Sequence, residues 1–516
     1  MSSGIGIGFL PGRVIALCGC LFASAIFASP QGGVIVGGQG SIQVPDATTT
    51  TIQQNSQSLV LNWDSFNLDV NETVNFNQPS STAAALNRIF DQNPSQIFGS
   101  INANGRVFLS NPNGLFFGPS ATVNVGALIA TSLNISPSDF MQGNYYLDSG
   151  TGGTGAIVNQ GIIQAASGGG VALIGNSVRN EGVILANYGH VILATGRQAV
   201  INFDGDGLIS FQVDEAVLQN TTGAEDAIYN SGSIYADAGQ ILLSANLSED
   251  IFTNAINNEG LLQATRMVNE GGVIYLTSNQ GSVISSGDIV AIGENGVGGE
   301  VHMLGDQVGL FDDATVDVSG SDGGGVVLIG GDYQGQGDTP TAEITYVGAE
   351  TGIRADAINN GDGGKIIVWA DNTTRAYGDI SARGGANSGD GGFVEVSGKR
   401  SLVFKAQVDT RAPQGATGML LLDPENINIT NAGSTGTNVV NSSGAFTIDN
   451  GNAADILWSD LDDQLVMTSV TVTSADGDIT ISEAGTLING TSNSLELIAA
   501  GAKKIKIKAG ITSDSA

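Results

Sequence analysis

The chain has 516 residues, of which 41% are hydrophobic and 13% charged; 75 are Gly and 11 Pro, and 50 acidic side chains against 18 basic ones leave a net charge of −32. That hydrophobic content excludes a disordered polymer, and so much Gly without a Gly-x-y period excludes collagen and points to a turn-rich β protein. The acidic balance excludes nucleic acid as a partner, since its phosphates would be repelled.

Residues 1–28 read as a secretory signal. Behind Arg13, Val14 to Phe27 form one apolar stretch, and small residues follow at Ala25, Ala28 and Ser29, which places cleavage near Ala25 or Ala28. About fourteen apolar residues are too few for a membrane-spanning helix. Leu17-Cys18-Gly19-Cys20 could be read as a lipidation site, but the apolar run continues past Cys20. Both cysteines lie in this leader, so the mature chain would carry none and would escape disulfides before export. With 2 His and no mature Cys, no zinc site is expected.

The next stretch carries ordered motifs. Leu59 opens LVLNWDSFNLDVNETVNFNQPS, Asn87 and Arg88 sit in ALNRI, and Asn111-Pro112-Asn113-Gly114 lies between FLS and LFF. The last is close to an ideal β-turn: Asn at the first corner, Pro fixing φ at the second, Asn tolerated at the third and Gly closing. From about residue 33 to 140 the sequence resembles the N-terminal secretion domain of the filamentous haemagglutinin family, the TpsA-type exoproteins of two-partner secretion. The resemblance implies a β-helical secretion domain over 29–140, recognised by an outer-membrane β-barrel transporter of a Gram-negative bacterium. It further implies a stalk displayed at the cell surface or released, commonly as an adhesin. By position, Asn87, Arg88, Asn111, Pro112, Asn113 and Gly114 inherit the family's secretion motifs; the turn could act structurally or touch the transporter. Arg88 would pair with a carboxylate or carbonyl. No Arg-Gly-Asp occurs, so an integrin-type motif is not carried over, and glycans or proteins of host or neighbouring cells remain the receptor class.

Beyond a Gly/Ser/Thr seam at 148–155 two phrases recur. Asn-x-Gly-x-(Ile/Leu)-x-Ala starts at Asn159, Asn180, Asn230 and Asn258, and Gly-x-(apolar)-x-(apolar) at Gly170, Gly189, Gly239, Gly272, Gly299, Gly325, Gly364 and Gly392. Each alternates inward apolar and outward residues, the period of a strand with one buried face. A ribbon of this kind cannot close its own core and must stack on its neighbours, which gives a right-handed parallel β-helix. Regular two-residue hairpins or a fixed blade period, as a sandwich or propeller needs, are absent. The Gly and Asn before each phrase are expected at positive-φ corners. The array would occupy 141–399, with loops protruding at Asp332 to Pro340 and Asn387 to Gly392. Residues 400–516 would add further coils, including Leu420 to Thr430, which resembles a family stalk phrase. Fifteen to twenty coils at about 4.8 Å would make a rod on the order of 70 to 100 Å. The strands Val34 to Val36 and Ser41 to Val44 would cover its start. At the other end, Lys503 to Gly510 alternates outward Lys with inward Ile; the end is either that of a short passenger or of a chain continuing further.

An enzyme is the rival class, since β-helices also carry polysaccharide lyases. Its carboxylates could come from Asp204 and Asp206, Asp312 and Asp313, or Asp460, Asp462 and Asp463, but no spacing fixes a pair. His190 and His302 read as outward-facing surface residues. SDGGG at Ser321 lacks the tandem repeat that calcium-binding solenoids need. The reading is therefore an all-β exoprotein acting in adhesion or aggregation, with no catalytic residues, cofactor or metal; a purely structural surface protein without a receptor is the remaining alternative.

Overall fold

The computed structural model describes residues 29–150, 152–204, 207–267, 272–431, 454–474, 477–487, 493–500, 503–507 and 511–513. The signal segment 1–28 and Asp206 lie outside them. The fold is a right-handed parallel β-helix whose coils up to Asp409 lay short strands on three sheets, while Ile427–Thr430, Ala454–Leu457, Ile479–Ile481 and Ile505–Ile507 form a separate four-stranded sheet in the last coils. Sheet I has sixteen strands, sheet II fourteen and sheet III eleven. The order is fixed by the sequence phrases. Ala156–Asn159 lies on sheet III, Ile162–Ala165 on sheet II and Val171–Gly175 on sheet I, and Ser177–Asn180 then returns to sheet III one coil further on. Sixteen strands from Val34–Gly37 to Leu495–Ala499 span on the order of 70 Å. One apolar core runs through the stack from Ile52 to Ile481.

The phrase glycines are needed for a different reason than corner geometry. Of those named above only Gly272 has a positive φ, +75°. At Gly189, Gly239, Gly299, Gly325, Gly364 and Gly392 the coils come too close for a side chain. A Cβ on Gly189 would sit 1.6 Å from the carbonyl oxygen of Gly169, and one on Gly239 would sit 1.8 Å from that of Gly189. The same contact repeats at Gly299, Gly325, Gly364 and Gly392. The asparagines likewise lie in strands, with no positive φ. Register places Asn159, Asn180, Asn230, Asn258 and Ser285 one above another, fully buried. Each Asn Nδ2 donates to the next residue of the ladder: Asn159 to Asn180 Oδ1 at 2.8 Å, Asn180 to Asn230 Oδ1 at 2.7 Å, Asn230 to Asn258 Oδ1 at 2.8 Å, and Asn258 to Ser285 Oγ at 3.0 Å. Above and below, the same column is apolar, with Phe117 at one end and Leu310 and Val347 at the other.

Antiparallel strands close the first coil, as expected. Val34–Gly37 pairs with Ser58–Trp63, and Gly40–Gln43 with Thr49–Gln54. Sheet I is also covered on its outer face. Asn134–Ile135, Tyr145–Asp148, Gln198–Asp204 and Gly207–Asp214 leave the helix to form a four-stranded antiparallel sheet, which the repeat reading did not foresee. With the short helix Pro137–Met141 this sheet builds a second core on Phe108, Ile129 and Ile192. Phe108 meets Phe140 edge-on at 5.1 Å and stacks on Tyr145 at 5.0 Å, while the Arg106 guanidinium lies 4.0 Å over Phe203.

One further expectation is corrected. The segment 332–340 folds back on sheet I instead of protruding: Gly335, at φ +60°, packs so tightly on Trp369 that a Cβ would meet its indole at 2.6 Å. The 387–392 loop keeps Asn387, Ser388 and Asp390 exposed while it stacks on the loop one coil before, with Asn387 N–H donating to Asn359 O and Gly389 pressed on Gly361. In the last coils a helix, Trp458–Leu465, buries Trp458, Leu461 and Leu465 between strands. Register carries Ile505 and Ile507 over the fully buried Ile479 and Ile481, in the inward column expected, where they are 40% and 63% exposed, and Lys506 pairs with Asp478 at 2.5 Å.

Candidate secretion site

The two candidate secretion motifs meet across neighbouring coils. The strands Ala84–Ile89 and Arg106–Ser110 pair in register, setting Asn87 against Leu109 and Arg88 against Ser110, one residue before the turn. Asn87 points into the core and is fully buried. Its Oδ1 accepts the Trp63 indole N–H at 3.0 Å and its Nδ2 donates to Phe108 O at 3.1 Å, so it ties three successive coils. Arg88 faces outward over the Phe90 ring, 5.2 Å from its centroid, where burial pulls the guanidinium pKa down. An aromatic face thus meets the charge in place of the carboxylate or carbonyl expected.

Asn111 to Gly114 form the turn that the residue types demand. Gly114 N–H donates to Asn111 O at 2.9 Å, Asn113 N–H donates to Asn111 Oδ1 at 2.9 Å, and Gly114 takes φ +105°. Asn111 has no exposure, and its Nδ2 reaches back to Asn93 O at 3.1 Å and Ser95 Oγ at 3.0 Å. Asn113 Nδ2 donates to Asp91 O at 2.7 Å, and Gly155 N–H of the following coil donates to Pro112 O at 3.1 Å. The turn is clamped on both sides, and only Pro112 and Asn113 reach partway to solvent. Asn111→Ala would leave Asn93 O, Ser95 Oγ and the Asn113 N–H without their partner. It is expected to cost about 2 kcal/mol in urea unfolding.

The carboxylates considered for catalysis do not converge on one another, although Asp312 lines a cavity with Glu225, Asp226 and Glu259. Asp312 and Asp313 are exposed on a turn, Asp312 at φ +49°, and Asp460 to Asp463 belong to the helix above. The side chain of Asp204 and all of Asp206 lie outside the described residues. Among the described residues no group of three or more His, Cys, Asp or Glu is arranged to hold a metal. His190 and His302 face outward but are half-buried, and burial lowers the pKa of both; His302 also meets Tyr275 edge-on at 4.7 Å.

One perturbed carboxyl escaped the sequence reading. Glu395 is fully buried beneath the folded-back loop, where burial pushes its pKa up to about 7. It accepts the Gln334 backbone N–H at 3.1 Å, Gln334 Nε2 donates to Asp423 Oδ2 at 2.7 Å, and Lys365 pairs with Asp332 at 2.7 Å. Glu395 therefore holds the loop and faces no open cleft. A raised pKa stabilises the fold below the unfolded value near 4.5, and that stability is lost as pH rises through about 7. Glu395→Gln keeps an acceptor without the charge. It is expected to raise stability at pH 8 by about 2 kcal/mol and to leave pH 5 nearly unchanged, read from melting curves at both pH values.

With this geometry in place, the TPS secretion domain family matches residues 28–291. The chain belongs to this family. It is a two-partner secretion exoprotein, a class exported across the outer membrane of Gram-negative cells. Two Haemophilus influenzae proteins, each named heme/hemopexin-binding protein, are similar. One is 31% identical over 280 residues, 52% of this chain, and the other 26% identical over 300 residues, 54% of this chain. The chain spans about 30% of the length of each of these relatives. The crystal structure of the HMW1 secretion domain from Haemophilus influenzae matches with 32% identity and a TM-score of 0.65, covering 75% of this chain and all of that one. The TPS secretion domain thus enters the rest of the stack through shared sheets, since sheet I continues beyond residue 291 to Leu495–Ala499.

Proposed function

We propose that this exoprotein acts in adhesion or aggregation at the bacterial surface, with residues 29–140 serving as the transporter-recognised part, and 141–399 and 400–516 as the β-helical stalk. The observation carrying this reading is the continuity of sheet I: an export domain and a long stack share one rod, the form of a presented surface and not of an enclosed catalytic chamber. The receptor class proposed is a surface glycan or protein of host or neighbouring cells. The six motif residues are proposed to serve export. Asn87 and Asn111 do so by holding the coils in register, since neither is exposed, and Pro112, Asn113 and Arg88 by offering the outward surface.

Export from a Gram-negative host with and without the partner transporter tests the first half. Release should require the transporter and should fall in Asn111→Ala in proportion to lost stability. Release without any transporter would sink the export reading. Loss of release with unchanged stability would instead make Asn111 a recognition residue. Retention of the purified chain on cultured epithelial cells or on sister bacteria tests the second half, and no retention on either would overturn adhesion. The names of the curated relatives favour a second reading, binding of heme or hemopexin, which a pull-down with hemopexin would decide.

A further inference from the structure

We propose that the outer face of sheet III around Asp226 and Glu259 is a binding groove for a linear, uncharged oligosaccharide lying along the axis of the stack. The proposal deepens the adhesin reading and rests on it for biological use, though not for binding itself. Register sets Val158, Arg179, Tyr229, Asn257 and Ile284 in one outward column, one residue per coil. They are spaced at about 4.8 Å, a rise comparable to that of successive units in an extended sugar chain. Two adjoining cavities of about 450 and 580 Å³ lie over this column and share Glu225, Asp226, Asn257 and Glu259.

One wall is built by the insertion before Asp226. It is tied down: Thr221 Oγ1 donates to Thr154 O at 2.8 Å, Asn176 Nδ2 donates to Gln219 O at 3.0 Å, and Ser177 and Thr222 hydroxyls meet at 3.1 Å. The groove is therefore preformed, so a ligand need not order it.

Its chemistry selects the ligand. Asn257 Nδ2 donates to Asp226 Oδ2 and to Glu259 Oε1, both at 3.2 Å, Asn254 Nδ2 donates to Asp226 Oδ1 at 2.7 Å, and the Tyr229 hydroxyl donates to Glu259 Oε2 at 2.7 Å. The Arg179 guanidinium is paired with Glu181 and lies 4.0 Å over the Tyr229 ring. These donors are spent on the groove's own acceptors, while acceptor capacity is left over. Asn254, only 5% exposed, has an Oδ1 with no hydrogen-bond partner among the described residues, and burial pushes the Asp226 carboxyl up. The complementary ligand supplies hydroxyl donors, has apolar C–H faces for Tyr229, Val158 and Ile284, and carries no negative charge. A neutral sugar chain meets all three demands, whereas sialylated or sulfated chains would be repelled by Glu225, Asp226 and Glu259.

The test is the full exported chain on an array of neutral and of sialylated or sulfated oligosaccharides, beside Tyr229→Ala and Glu259→Gln. Expected are binding of linear neutral chains, none of acidic ones, and roughly tenfold weaker binding in both variants, with melting temperatures unchanged. Should Tyr229→Ala melt lower, Glu259→Gln carries the test alone. The proposal falls if no neutral chain binds, if acidic chains bind better, if Glu259→Gln binds as before, or if binding follows added calcium without sugar selectivity. Cell retention run in parallel separates the two readings: retention without sugar binding sinks the groove alone, and sugar binding without retention sinks only the adhesin reading.

Discussion

Gly239→Val is expected to break the stack between the coils of Gly189 and Gly272, with a loss above about 4 kcal/mol and the largest effect of any single change considered. A Cβ at this position would lie 1.8 Å from Gly189 O and 2.9 Å from its carbonyl carbon, and those atoms are backbone, not the yielding end of a side chain. The neighbouring ladder cannot widen to make room. Gln240 N–H donates to Gly189 O at 3.1 Å and Gly272 N–H to Gly239 O at 3.0 Å, so separating the coils forfeits bonds on both sides. Because each coil of a solenoid touches only its neighbours, the damage should stay local and the flanking coils should persist as separate units. Amide exchange read along the chain would then show lost protection near residues 189–195, 240–245 and 273–278, with the strands Ala127–Thr131 and Lys365–Ala370 still protected. Gly152→Ala is the control: nothing closer than 3.7 Å meets its Cβ and its φ is not positive. Full protection in Gly239→Val would show that the coils flex apart far more easily than the contacts allow.

What the residues disclose depends on whether a signal repeats in the chain or arises across it. The Gly-x-apolar-x-apolar phrase was legible because its period is local and each copy makes the same strand, and the Asn-Pro-Asn-Gly turn because its chemistry lies in four consecutive residues. The reason for the glycines was not legible, since a clash with Gly169 or Gly189 exists only between coils some twenty to fifty positions apart. The covering sheet at Gln198–Asp214 reads as more alternation, and its pairing with Tyr145–Asp148 leaves no local mark. A usable signal was present on the surface it covers. Val171–Gly175 and His190–Thr195 are apolar at both inward and outward positions, as a strand buried on two faces must be, and Phe108 stands outward where a solvent-facing residue would be polar. Glu395 was hidden for the same reason: its burial is created by Gln334, sixty-one positions away. At the candidate secretion site, the turn chemistry of residues 111–114 was visible, but not that Asn87 and Asn111 are interior.

Asn180→Ala is expected to cost about 3 to 5 kcal/mol, the second largest effect, through two groups it never touches with its backbone. The side chain occupies the middle of the ladder, accepting from Asn159 Nδ2 at 2.8 Å and donating to Asn230 Oδ1 at 2.7 Å. Removing it strands a donor below and an acceptor above in a core where neither is exposed, and each such group costs about 1 to 3 kcal/mol. Asn159 and Asn180 also reach the carbonyls of Gly161 and Gly182 in the tight corner that follows, so the ladder holds the turn as well as the stack. Replacing the ladder wholesale should be far cheaper, because the same column is filled by Phe117, Leu310 and Val347 in other coils without any polar partner. A quadruple variant with Val at Asn159, Asn180, Asn230 and Asn258 is therefore expected to lose less stability than four times the single Asn180→Ala change. Urea unfolding of the single and quadruple variants decides it: losses that add up would mean that the asparagines act singly and that the chain of bonds carries no cooperative energy.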